Sequence, residues 1–179
     1  KGVPAALFMA KTVTLYTGAL NDELSPGETF THMNHALCQN NDACMFVTAL
    51  CGTLDLHSGR LVMANAGHMH PLQINQSSSG ELIVDGSLAL GLMDDVVYSN
   101  VDCMLEKHTS LLMYTDGISE AFNPAREQYD EERLLAFVAQ TKQLSADALA
   151  ACVLADVEKF VDNAEQSDDI TLMVIHYGS

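Results

Sequence analysis

Carboxylates at two points are the residues best suited to chemistry. In Leu111-Leu112-Met113-Tyr114-Thr115-Asp116-Gly117 an apolar, strand-like run ends in an Asp followed by Gly. A strand fixes such a carboxylate at a sheet edge, and the glycine lets another group approach the backbone closely. In Ser167-Asp168-Asp169-Ile170-Thr171-Leu172-Met173-Val174-Ile175 two carboxylates precede a second apolar strand. Oxygen donors of this kind suit hard divalent cations such as Mg²⁺ or Mn²⁺. Taken singly, Asp-Gly reads as turn chemistry and Asp-Asp as a solvated strand start. Taken together, adjacent carboxylates at the ends of buried strands repel one another unless a cation joins them.

Other chemistries find no support. A cysteine phosphatase needs an Arg closing the loop that its Cys opens, and none of Cys38, Cys44, Cys51, Cys103 and Cys152 has one. No Asp-x-Asp occurs for a phosphoaspartate mechanism. Gly117-Ile118-Ser119-Glu120-Ala121 lacks the second glycine of a serine-hydrolase elbow. Phosphate-binding and dinucleotide-binding glycine patterns are absent. His68-Met69-His70 places two rings on one strand face, but a zinc site needs three or four ligands and no third is near. The remaining histidines are isolated and read as surface or packing residues. The methionines, Met9, Met45, Met63 and Met113 among them, read as core filler.

The elements that must position these carboxylates follow from local signals. Val3 to Leu20 reads as a helix rich in Ala, Leu and Met. Ser25-Pro26 is an N-cap followed by Pro at the first helical position, opening a second helix to about Gln39. Residues 45–56 and Leu61 to Ala66 form a predicted hairpin around His57-Ser58-Gly59-Arg60. Further strands are expected at Pro71 to Ile74, Glu81 to Val84, Val96 to Leu105, Leu111 to Tyr114 and Ile170 to His176. Helices are expected over Tyr129 to Gln140 and over Ala146 to Val161, capped by Ser145. Asn75 to Gly80 is a strand connection, too short to divide domains. Helices and strands segregated in this way imply an α+β fold, and 179 residues fit a single domain, 1–179.

Composition narrows the function classes. Asp and Glu number 24 against 8 Lys and Arg, a formal charge of -16. Nucleic acid and anionic membranes both require clustered cations, and these are scattered. The negative field favours divalent cations and repels phosphate esters, so phosphate chemistry here needs a metal to invert the local charge. No apolar run is long enough to span a bilayer. Five Cys without a C-x-x-C pair read as small buried hydrophobes in a reducing compartment, and the chain as cytoplasmic.

Several segments resemble, in order, the motifs of the SpoIIE-like branch of metal-dependent (PPM, type 2C) serine/threonine protein phosphatases, with its RsbU-like regulators. Lys1-Gly2-Val3-Pro4-Ala5-Ala6-Leu7 is similar to the end of the motif Asp-x-Ser-Gly-[His/Lys]-Gly-x-x-Ala-[Ala/Ser]-[Leu/Met]. Met45 to Leu50 with Gly52 resembles the central strand, and Gly86 to Leu92 a Gly-x-x-Leu-Gly segment. Asn65-Ala66-Gly67-His68-Met69-His70-Pro71, Leu111 to Glu120 and Ser167 to Ile175 match three further signatures.

The resemblance implies an αββα sandwich of two antiparallel sheets flanked by helices, here without its first strands. It implies two Mn²⁺ or Mg²⁺ ions, bound by Asp116 and Asp168, that activate water for attack on phosphorus. Asp169 stands where relatives often have Asn; it is read as supporting the ligands and is itself a further candidate ligand. Asn65, Gly67, His68, Gly117 and Thr171 belong to the supporting motifs. His68 occupies a position where much of the wider family has an Asp for a third metal. The Gly-Asp of the first metal-binding strand, and the Asp that opens the motif ending at Lys1-Gly2, are missing.

The implied substrate is a phosphoserine or phosphothreonine protein, typically a STAS-domain anti-anti-sigma factor. An upstream sensory or receiver domain would act through Val3 to Leu20 and Ser25 to Gln39. The sheet edge left by the missing strands is a dimerisation hazard, which makes a homodimer one expected state. The alternative is a catalytically silent module that sequesters a sigma-factor regulator.

Overall fold

A computed structural model describes residues 2–20, 22–142, 144–166 and 168–178. In chain order its elements are α1 (Val3–Ala19), α2 (Pro26–Cys38), β1 (Ala49–Leu54), β2 (Arg60–Ala66), β3 (Leu72–Ile74), β4 (Ser79–Glu81), β5 (Gly86–Ser87), β6 (Val101–Met104), β7 (Thr109–Tyr114), α3 (Asp116–Ser119), α4 (Glu131–Val138), α5 (Ala146–Val161) and β8 (Leu172–Tyr177). They divide into two compact units, one of residues 1–68 and 84–104, the other of residues 69–83 and 105–179. Each has its own sheet, its own helices and its own core, in agreement with the expected α+β class.

In the first unit β2 is central. It pairs antiparallel with β1 along one edge, from Ala49↔Ala66 to Leu54↔Leu61. Its other edge is shared: β6 runs antiparallel along Arg60–Met63, and the two residues of β5 run parallel beside Asn65 and Ala66. The parallel pair departs from the purely antiparallel expectation. Ser25 caps α2 as anticipated and completes a capping box with Glu28. Phe30, Met33 and Leu37 of that helix pack on Ala64 and Ala66 of β2, and Tyr98 meets Phe30 edge-on at 5.8 Å. Tyr98 lies in a segment expected to be strand; only Val101–Met104 is. Residues 96–100 instead serve α2, with Thr31 accepting the Tyr98 N–H and Asn100 accepting that of Gly27.

In the second unit the sheet order is β4-β3-β7-β8, antiparallel throughout. β7 is buried almost along its length, and α4 and α5 cover the face that carries Leu112 and Tyr114. Leu112, Tyr114, Leu134, Val138, Leu149 and Val153 form the core there. Ser145 accepts the Ala148 N–H as the cap of α5, as read from the sequence. Asp130 caps α4, which is shorter than the expected Tyr129 to Gln140 at both ends. β4 lies two residues earlier than anticipated, and Asn75–Ser78 forms the turn that leads into it.

All five cysteines are free; Cys44 and Cys152 are exposed and Cys38, Cys51 and Cys103 half-buried, which corrects the reading of the five as buried hydrophobes. Met63 is core, whereas Met9 is half exposed. Among the described residues no helix is long and apolar enough to cross a membrane.

Candidate metal centre

The antiparallel register of β7 and β8 decides where the carboxylates lie. Tyr114 pairs with Leu172, so the C-terminal end of β7 and the N-terminal end of β8 meet at one end of the sheet. Asp116 follows the first end and Asp168 and Asp169 precede the second. All three are exposed.

Thr115 fastens the two ends together. Its N–H donates to the Thr171 carbonyl at 3.1 Å, its Oγ1 accepts the Thr171 N–H at 2.9 Å, and its hydroxyl donates to the Asp169 carbonyl at 3.2 Å. The chain then turns into the single-turn helix α3, which begins at Asp116. Gly117 in that turn abuts the other segment. A methyl group there would fall on the Asp169 carbonyl oxygen, 2.9 Å from its carbonyl carbon and 3.4 Å from the Asp168 carbonyl oxygen. Gly117 is therefore required by close backbone approach.

Asp168 is held from both sides: its Oδ1 accepts the Asp169 N–H at 2.9 Å, and its carbonyl accepts from Gln166 Nε2 at 2.8 Å. Asp116 opens on a cavity of about 620 Å³ lined by Glu120, Asp130, Glu131 and Glu132 as well. Asp169 faces a different one, of about 560 Å³, against Val157 and Val161 of α5. Tyr114 lies buried beneath this end of the sheet. Its phenol is pushed well above its ordinary range, first by burial and then by the Glu131 and Glu81 carboxylates, and stays neutral.

The predicted site residues thus fall into two groups. Asp116, Gly117, Asp168, Asp169 and Thr171 share one end of the second unit's sheet. Asn65, Gly67 and His68 belong to the first unit, where they build a turn. Asn65 Oδ1 accepts the His68 N–H at 2.7 Å and its Nδ2 donates to the His68 carbonyl at 2.9 Å. Gly67 has φ +70, with Ala89 N 3.1 Å from where a Cβ would stand. His68 Nδ1 lies 3.4 Å from Thr48 Oγ1. Sequence reasoning missed Thr115 and Gln166. For Thr115 a signal existed, a hydroxyl residue of N-cap type directly before Asp-Gly; for Gln166 there was none.

The donor chemistry fits a hard divalent cation in kind, since Asp116, Asp168 and Asp169 carry carboxylate oxygens on convergent segments. It does not amount to a full shell. Among the described residues no group of three or more His, Cys, Asp or Glu side chains is placed to hold one ion.

Known proteins share the sequence pattern and the fold. The chain is 24% identical over 209 residues to Protein IcfG of Synechocystis sp., covering 98% of this chain and 32% of that protein. It is 26% identical over 178 residues to the phosphoserine phosphatase RsbU of Bacillus subtilis, covering 98% and 52%. It therefore spans about half or less of the length of these relatives. Among solved structures, the SiaA-PP2C domain of Pseudomonas aeruginosa superposes with a TM-score of 0.85 at 19% identity, over 98% of this chain and 71% of that one. The RsbU and RsbW domains of Rv1364c from Mycobacterium tuberculosis give 0.79 at 21%, over 99% and 49%. The fold is that of PP2C phosphatase domains, and the chain covers only part of those solved chains. The family model described as Stage II sporulation protein E matches residues 1–178, and the chain belongs to this SpoIIE family.

Proposed function

We propose that this chain is the phosphatase module of a metal-dependent phosphoserine and phosphothreonine protein phosphatase, acting in the cytoplasm on a STAS-type anti-anti-sigma regulator. The observation that carries the reading is the packing of Gly117 on the Asp169 carbonyl, which brings the carboxylate-bearing ends of β7 and β8 to one place. Membership of the SpoIIE family, and a relative named as a phosphoserine phosphatase, support the reaction class.

On this reading Asp116 and Asp168 are ligands, and Asp169 supports them, its carbonyl held against Thr115 and Gly117. Mn²⁺ or Mg²⁺ bound there would acidify water and offset the charge of the phosphate. The chain's own residues position and select. Thr115 and Gly117 hold the two carboxylate segments in contact, and Gln166 restrains Asp168. Asp116, Glu120, Asp130, Glu131 and Glu132 together favour a divalent cation and repel a bare phosphate dianion. No side-chain nucleophile is called for, and Ser119 is ill suited to be one: it is 6% exposed and its hydroxyl donates to the Asp116 carbonyl at 3.4 Å. An upstream sensory or receiver domain acting through α1 and α2 belongs to the same proposal.

A second reading, a silent module that captures a sigma-factor regulator, is favoured by one observation: the incomplete donor set among the described residues. The test is Mn²⁺-dependent phosphate release from a phosphoserine protein by the full-length protein, with Asp116→Asn as control. Turnover that needs Mn²⁺ and falls by at least about 10²-fold in the variant, the loss of about 2.7 kcal/mol of transition-state stabilisation, supports the phosphatase. A folded, inert protein that still binds the regulator supports the silent module.

A further inference from the structure

The opposite end of the same two strands carries a second concave site. Ser110 pairs with His176 there, four residues from the Tyr114–Leu172 end, about 13 Å along the strand at 3.3 Å per residue. A cavity of about 400 Å³ opens between this end of the sheet and the start of α5. Its floor is apolar: Ile74, Leu144 and Leu149, of which Ile74 and Leu149 are 4% and 1% exposed.

Three of the polar side chains around that floor, Asn75, Ser145 and His176, can donate to a ligand, whereas the Thr141 hydroxyl already donates to the Val138 carbonyl at 2.9 Å. Asn75 Oδ1 accepts from the N–H groups of Ser77 and Ser78, at 2.9 and 2.7 Å, and from the Ser78 hydroxyl at 3.2 Å. That leaves its Nδ2 amide hydrogens without a partner among the described residues. Ser145 Oγ accepts the Ala148 N–H at 3.3 Å, so its own O–H is left to donate. Ser110, 5% exposed, lies 2.9 Å from His176 Nδ1; with the Ser110 hydroxyl donating to Nδ1, the ring proton sits on Nε2, which can donate to a ligand. The His108 ring stands 6.4 Å from that of His176, centroid to centroid. The Lys142 ammonium sits on the same turn as Asn75, donating to the Ser77 carbonyl at 3.1 Å.

Charge sharpens the picture. In a chain with a formal charge of -16, no Asp or Glu lines this cavity; Asp147, in the first turn of α5, is not part of the lining. Four other cavities each contain at least one carboxylate, among them Asp116, Asp169, Asp94 and Glu165. A cation would find no charged partner here. A fully hydrated inorganic anion would leave the apolar floor unused.

We infer that this cavity binds a small organic carboxylate, its acid group on the donors of Asn75, Ser145 and His176 and its apolar body on Ile74, Leu144 and Leu149. Convergent donors above an apolar floor are the usual form of a small-molecule site. The site is independent of Asp116 and Asp168 and stands whether or not the chain is a phosphatase.

The test titrates the ¹⁵N-labelled chain with sodium benzoate, with inorganic phosphate and with benzylammonium chloride, following amide shifts. Benzoate should give saturable shifts concentrated at residues 74–76, 108–110, 144–149 and 176, with phosphate and benzylammonium at least tenfold weaker. Asn75→Asp keeps the acceptor that builds the turn and replaces the donor with a negative charge. It should abolish benzoate binding while the rest of the spectrum is unchanged, and His176→Ala should weaken binding at least threefold. Shifts that do not saturate or that lie elsewhere would overturn the inference. So would phosphate or benzylammonium binding as tightly as benzoate, or an Asn75→Asp chain that binds like the parent.

Discussion

Gly117 lies with its Cα against the main-chain carbonyl of Asp169, too close for any Cβ. The obstacle is backbone, not the end of a flexible side chain, so Gly117→Ala can be accommodated only by moving the 168–169 segment away from Asp116. Overpacking of this kind costs about 1–3 kcal/mol. The expected outcome is a lower melting temperature and, in the full-length protein, Mn²⁺-dependent turnover reduced at least tenfold. Turnover equal to the parent's would show that the spacing of the two carboxylate segments does not matter.

Thr115 offers a gentler probe of the same contact. Thr115→Val keeps the shape but removes the hydroxyl that bonds Thr171 N and Asp169 O. One backbone N–H then loses its partner, a loss of about 1–2 kcal/mol. Thr115→Ser restores the hydroxyl and should restore both stability and metal-dependent activity. Denaturant titrations of the three proteins, read beside the Mn²⁺ dependence of turnover, separate a role in positioning from a purely structural one. In the first case Thr115→Val needs more Mn²⁺ for half-maximal activity; in the second only stability changes.

Acid should weaken α2 through one carboxylate. Ser25 donates hydrogen bonds to Glu28 from both its hydroxyl and its backbone N–H, and these hold the Glu28 carboxyl below its ordinary value of 4.5. The folded state thus prefers the ionised form. This stability is present above pH 4.5 and is lost as pH falls below that value, through the lower folded one. Ser25→Ala also removes the cap on the Glu28 N–H, so the variant should be less stable by about 1 kcal/mol at neutral pH. Its stability should then decline less steeply below pH 4.5. Urea midpoints between pH 3 and pH 7 would measure both effects, and parallel pH curves for parent and variant would exclude the Glu28 part.

Signals carried by neighbouring residues were legible in the sequence, and signals carried by distant partners were not. Ser25-Pro26 and Ser145 mark their helices correctly because a cap is a contact within one turn. β5 has two residues and exists because Asn65 and Ala66 lie beside it; no local pattern could reveal that. Residues 96–100 have strand-forming side chains but are drawn onto α2 by Phe30 and Thr31. The identity of Asp116 and Asp168 as candidate ligands could be read from their strand-end positions. Their convergence could not, because it depends on the Tyr114–Leu172 register. Asn65 and Gly67 match a motif, yet the structure accounts for them through the turn they close.

The alkaline limit should be set in part by Tyr98. Its phenol is 4% exposed, donates to the Leu88 carbonyl at 2.8 Å, and is pushed up to about 12 by burial and then by the nearby Cys38 thiol. The unfolded phenol ionises near 10, so between pH 10 and pH 12 the unfolded state releases a proton that the folded state keeps. A raised value of this kind gives stability that is complete below pH 10 and lost as pH rises toward 12. Tyr98→Phe removes that proton and leaves the Leu88 carbonyl without its donor. The variant should be less stable at pH 8, and its stability should fall more slowly above pH 10. Because Tyr114 and Tyr129 are also pushed up by burial, some alkaline decline should persist in the variant. Guanidinium midpoints at pH 8, 10 and 11 would decide the matter: curves that stay parallel across that range would mean that Tyr98 ionises alike in the folded and unfolded chain.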